Sequence, residues 1–219
     1  MTKIRTIEHL QQVLDDELAW RKKELAVIKS LVTMRSSMEM TKCHIRAGVA
    51  LIYAHWEGFI KAATTAYLTY VASQRLTYSE LTDNFVAFAS KRLLNEARDS
   101  NKMIVYAKVV ELFTSGRDSR CILPTEIKTK SNLSSEVLKE IVYTLGLDYG
   151  DYATKANFID ETLVGNRNSI AHGNYLLVEI SDFIELHGIV IDLLNIFSNQ
   201  ISNAASTKAY KRDAIPNFV

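Results

Sequence analysis

The chain has little of what interrupts a helix: two prolines and eight glycines in 219 residues. So few turn formers point to long helices rather than many short strands. Cysteine is also scarce. Cys43 and Cys121 make neither a disulfide framework nor a metal-ligand spacing, and buried free thiols are the expectation. Neither sign of charge prevails, with 26 Lys and Arg against 25 Asp and Glu. That excludes a general cationic surface of the kind that holds duplex DNA through phosphates alone, so any nucleic-acid contact must be local. No apolar run is long enough to cross a bilayer, and the start, Met1-Thr2-Lys3-Ile4-Arg5, enters a charged amphipathic run without an apolar signal core. The expectation is a cytoplasmic protein that makes no use of a membrane. There is no glycine-rich phosphate loop, zinc-type cluster or nucleophile elbow. Most familiar enzyme classes are thereby removed, and neither a metal nor a cofactor is expected.

What the chain does have is helical periodicity. With 47% hydrophobic and 23% charged residues, it is expected to form one all-α domain over 1–219 with a substantial core. From Thr6 to Thr33, Ile7, Leu10, Leu14, Leu18, Leu25, Ile28 and Val32 predict one long helix, and the sevenfold spacing of Leu18, Leu25 and Val32 suits a packing seam. Trp20-Arg21-Lys22-Lys23 within it reads as a solvated face, with RNA contact as the alternative. A second helix over 42–73 carries Ile45, Val49, Ile52, Trp56, Phe59 or Ile60, Ala63, Tyr67 and Tyr70 on one face, with Glu57 and Lys61 at a pairing distance of four residues. His44 and His55 share a face but stand about 16 Å apart along the axis, too far to hold one metal.

Residues 76–130 read as a variable insertion. Thr77-Tyr78-Ser79-Glu80 has capping-box spacing before Leu81, Phe85 and Phe88, and a short helix over 103–114 uses Ile104, Val105, Val109 and Leu112. Arg117, Arg120, Lys128 and Lys130 make the following connection basic. Asn132 to Glu136 enters a helix that Gly146 ends, and Asp182 opens a terminal helix with Phe183, Leu186, Val190, Leu194, Phe197 and Ile201 inside. Residues 206–219 read as a fraying basic tail.

The most unusual stretch is Gly165-Asn166-Arg167-Asn168-Ser169-Ile170-Ala171-His172-Gly173-Asn174-Tyr175. It places a guanidinium, an amide and an imidazole within about one and a half helical turns, with Gly173 as the stop. Asn157 is the expected cap, followed by Asp160 and Glu161 in the first turn. At 100° per residue Arg167 falls among Ile159, Leu163, Val164, Ile170 and Ala171, where a guanidinium must be paired or delivered into a wet cleft. His172, in the last turn, is placed where the helix end favours a cation. Two readings stay open. Arg167 pairs internally with Asp160 or Glu161 while His172 caps the helix, or the cluster performs proton transfer and charge stabilisation at a phosphodiester. Glu57, beside the Trp56 face, is a candidate to orient Arg167.

Arg167-Asn168-Ser169-Ile170-Ala171-His172 resembles the Arg-x4-His motif of the HEPN superfamily (higher eukaryotes and prokaryotes nucleotide-binding). Tyr53-Ala54-His55-Trp56-Glu57-Gly58-Phe59-Ile60-Lys61, Ser131 to Ile141 and Leu145-Gly146-Leu147-Asp148 stand in the order of a prokaryotic branch named after Microcystis proteins. The resemblance implies an α-helical bundle with long antiparallel helices, and an endoribonuclease that works without metal as a homodimer. It further implies single-stranded RNA as substrate, cut through its 2′-hydroxyl, and a toxin or antiviral defence setting with an antitoxin or defence partner. Arg167, Asn168 and His172 would be catalytic and Tyr175 would stack on a base or pack at the helix end. The alternative is a non-catalytic member that binds RNA, a nucleotide or a partner protein.

Overall fold

In a computed structural model, residues 4–127 and 132–214 are described. Lys128, Lys130 and Ser131, and the end of the tail from 215, lie outside them. Helices account for the fold: α1 (Ile7–Thr33), α2 (Met38–Ser73), α3 (Asp83–Arg98), α4 (Met103–Phe113), α5 (Ser135–Leu145), α6 (Gly150–Ala153), a π-helical stretch (Phe158–Gly165) continuing into α7 (Asn166–Ala171), and α8 (Ile180–Ser206). Among the described residues there is no strand, only two isolated bridges, Thr77 with Arg120 and Leu81 with Lys211.

α1 and α2 each start where the sequence supplies a hydroxyl. Thr6 accepts from the His9 N–H and Ser37 from the Met40 N–H, each satisfying one backbone donor that the first turn leaves over. Ser37 starts α2 four residues earlier than periodicity alone indicates. The short link over 34–37 folds α2 back antiparallel on α1. α8 packs on both. Lys22 meets Asn195 and Phe59 meets Phe197, while Gly48 lies against Phe183 and Tyr70 against Tyr210. Contacts therefore advance together along α2 and α8, which run parallel, with α1 antiparallel to both. Parallel helices cannot be joined by a short turn. Residues 74–179 make the return, and the motif segment lies on its last leg.

The centre of the core is the seam these three helices share, and α3, α5 and the π-helical stretch add to it. Trp56, Phe59, Tyr67, Phe183 and Phe197 are fully buried in it. Arg21 corrects the expected solvated face. It occupies a seam position between Leu18 and Leu25 and is 6% exposed. Its guanidinium is bonded to the Glu17 carboxylate and carbonyl and lies 4.3 Å from the Trp20 ring centre. His55 is also buried, with Nε2 2.7 Å from the Glu24 carboxylate.

Three other expectations change. Thr77 and Glu80 do bond, through the Thr77 N–H and hydroxyl to the carboxylate, but they close a turn, and α3 begins only at Asp83. On α4, Val105 is buried whereas Ile104 is exposed, because only one stripe of this helix faces α3. The basic tail does not fray as far as it is described. Tyr210 is buried against Tyr70, and Arg212 donates to the Leu81 carbonyl and the Asp83 carboxylate.

Candidate functional site

The helix that carries the motif is not uniformly wound. Phe158–Gly165 is π-helical and runs into α7 without a break. Asn157 is therefore no cap. It has helical angles, φ −61° and ψ −40°, and makes no capping bond. The wider winding shifts the helix phase, so Ile159, Leu163 and Val164 stay buried while Ile170 is half-buried and Ala171 exposed. Such turns are rare and recur at functional sites. Asp160, one proposed partner for Arg167, is turned the other way. Its two oxygens accept from the Ser135 N–H, at 2.7 Å, and the Ser135 hydroxyl, which fastens the π-helical stretch to the start of α5.

The end of α7 is built as expected. The His172 N–H donates to the Asn168 carbonyl. Beyond it the Gly173 N–H reaches Ile170 and the Asn174 N–H reaches Ser169, the crossed pair of a Schellman end. Gly173 has φ +75°, and a Cβ there would meet nothing within 4 Å. Glycine is thus required by backbone angle, not by space. His172 is left exposed on the rim. Tyr175 is 77% exposed, so it does not pack at the helix end.

Arg167 is half-buried, and its Nη1 donates to Asn168 Oδ1 at 2.8 Å. Its guanidinium carbon lies 4.0 Å from the centre of the Tyr53 ring on α2. Tyr53 is fixed in turn, because its hydroxyl accepts from the Leu133 N–H at 2.8 Å. Burial pushes the Tyr53 phenol above its ordinary pKa, and the nearby Glu57 charge pushes the same way. The Leu133 N–H and Arg167 pull it down. Glu57 follows Tyr53 by one turn and its Oε1 accepts from Lys61 at 2.7 Å, the pairing their spacing predicts. One further α2 side chain reaches the motif: Arg46 Nη1 donates to the Asn174 carbonyl at 2.9 Å.

Arg167 and Asn168 are thus in direct contact, and His172 is one turn further on. The sequence reading missed Tyr53 and Arg46. Their signal is a spacing, since residues 46, 53 and 57 lie seven and four apart and form one line along α2. That line faces the motif helix.

A groove of about 320 Å³ runs along the opposite side of the motif helix, lined by Phe158, Thr162, Asn166, Leu177, Asp182 and Glu185 among others. Its carboxylates do not suit an anionic ligand, and neither Arg167 nor His172 lines it. Among the described residues no three His, Cys, Asp or Glu side chains are grouped to hold a metal ion, and no helix is long and apolar enough to cross a membrane.

A family model described as HEPN matches residues 10–210, all but nine residues at either end. The chain belongs to the HEPN family. The matched stretch of this HEPN protein contains the Arg167–His172 motif, the α2 line that faces it and the buried Tyr210. No curated protein and no solved structure matches the chain.

Proposed function

We propose that this HEPN protein is a metal-independent endoribonuclease that cuts single-stranded RNA at a site composed from two copies of the chain. The observation that carries this reading is the division of labour on one short helix. A stacked, half-buried arginine and an amide bonded to it are followed, one turn later, by a solvent-facing imidazole at the helix end. A guanidinium held in place can meet charge that grows on phosphoryl oxygens, and an exposed imidazole can exchange protons with a substrate. The open placement of His172 and Tyr175 also supports a half-site that a second copy completes across a two-fold axis.

In this reading the ribose 2′-hydroxyl attacks the adjacent phosphorus while its proton passes to one His172. The bond from phosphorus to the 5′-oxygen breaks, and that oxygen takes a proton from the partner's His172. The products are a 2′,3′-cyclic phosphate and a 5′-hydroxyl. Arg167 stabilises the phosphoryl oxygens, its planar fork suiting them better than a lysine. Asn168 orients the guanidinium through their shared bond. Tyr175 offers its ring to an unstacked base, and Glu57 supports the α2 wall. A cytoplasmic toxin or antiviral defence role, held in check by an antitoxin or defence partner, is the setting the family resemblance suggests.

The test is cleavage of a single-stranded RNA oligonucleotide in the presence of chelator. Arg167→Ala and His172→Ala should each lower cleavage by roughly a hundred-fold or more, with the helical fold and oligomeric state unchanged. A strand carrying one 2′-deoxyribose at the cut position should resist there. Full activity in either variant, or cutting at the deoxy position, would overturn the chemistry. RNA bound but not cut would favour the non-catalytic alternative.

A further inference from the structure

We propose that Tyr53 is a positioning residue of this site, its ring being the platform that aims Arg167; the inference rests on reading the motif as an RNA-cleaving site. A buried apolar position in the middle of α2 needs only volume, and leucine or phenylalanine would supply it. Tyr53 instead places its aromatic face 4.0 Å from the guanidinium carbon of Arg167. The ring is 3% exposed and its hydroxyl is tied to the Leu133 N–H at 2.8 Å, so the platform is held from both ends.

The mode of holding matters to the chemistry. Arg21, in the α1–α2 seam, is held by its bond to the Glu17 carboxylate. Stacking on a ring restrains a guanidinium through its flat face and leaves the charge in place. The N–H groups of a guanidinium are the ones that match phosphoryl oxygens. Asn168 takes Nη1 and sets rotation within the plane, while Tyr53 sets the plane itself. An arginine so constrained is ordered before substrate arrives, which speeds the chemical step more than it tightens ground-state binding.

The experiment uses the full chain and a single-stranded RNA oligonucleotide in chelator, with kcat and KM determined separately. Tyr53→Phe keeps the ring and should cut at close to the wild-type rate, although loss of the hydroxyl's bonds to the Leu133 N–H and to Arg167 lowers its unfolding midpoint. Tyr53→Leu removes the π face and should lower kcat roughly ten-fold with KM little changed. Because Tyr53→Leu is a core substitution that can impair folding, phenylalanine analogues with increasing ring fluorination are placed at position 53. They keep the shape and weaken the face, so kcat should fall stepwise along the series at constant fold. A flat series, or a Tyr53→Phe protein as slow as Tyr53→Leu, would overturn the platform role while leaving the nuclease reading intact. A wild-type protein that cuts no RNA would overturn both.

Discussion

Two arginines among the described residues lie against aromatic rings, in different surroundings. Arg21 is bonded to Glu17 and sits between Trp20 and Phe59, which makes it an internal strut of the α1–α2 seam. Arg167 lies over Tyr53 and bonds an amide, which leaves it half-exposed beside the rim that carries His172. Arg21 is buried beside a carboxylate, and Arg167 lies against a ring at the edge of the motif. At this scale Gly173 is a sensitive backbone position, with φ +75°. Gly173→Ala is expected to destabilise the protein by about 1–2 kcal/mol, since an L side chain disfavours left-handed angles. Gly173→Asn should lose less. Urea unfolding of the two variants checks the order.

The elements follow from where apolar stripes meet. α2 and α8 approach so closely at Gly48 that a Cβ there would stand 2.6 Å from the Phe183 ring. Gly48→Ala should therefore destabilise by roughly 1–3 kcal/mol through overpacking. Phe183→Leu, itself a cavity-forming change in wild type, should cost less in the Gly48→Ala background than alone, and a double-mutant cycle of unfolding midpoints measures that coupling. Among the described residues, side chains from outside the motif segment tie it at both ends and in the middle. Ser135 meets Asp160, Tyr53 meets Arg167 and Arg46 meets Asn174, from one end of the segment to the other. The ties from Tyr53 and Arg46 come from α2, so this helix serves as both core and wall of the site.

At the scale of the whole molecule, protonation and assembly set the expected behaviour. Burial holds His55 and His187 below the ordinary imidazole pKa of 6.5. Arg21 near His55 and Lys29 near His187 act in the same direction, while Glu24 and a bond to the Leu25 backbone oppose them. The folded chain then takes up these protons less readily than the unfolded chain. Stability is fullest above about pH 6.5 and falls as the pH drops through the lowered values. The urea midpoint should be lower near pH 5.5 than near pH 7.5, with a smaller drop in His187→Gln. If a second copy completes the site, specific activity should decline on dilution below the dimer dissociation constant. A mixture of excess His172→Ala protein with wild type should be less active than the wild-type protein alone at the same wild-type concentration.

Taken by itself, the sequence determined the helical class, the seams of α1, α2 and α8, the stops at Gly146 and Gly173, and the Arg167–His172 cluster. These are local or periodic properties, written in hydroxyl caps, left-handed glycines and a repeat near 3.6 residues. Only the tertiary structure decided that Arg21 is inside, that Asp160 serves α5 and that Tyr53 lies beneath Arg167. Each depends on which helix crosses which, and at what phase. A π-helical stretch shifted that phase just ahead of the motif, where no fixed angle per residue could follow it.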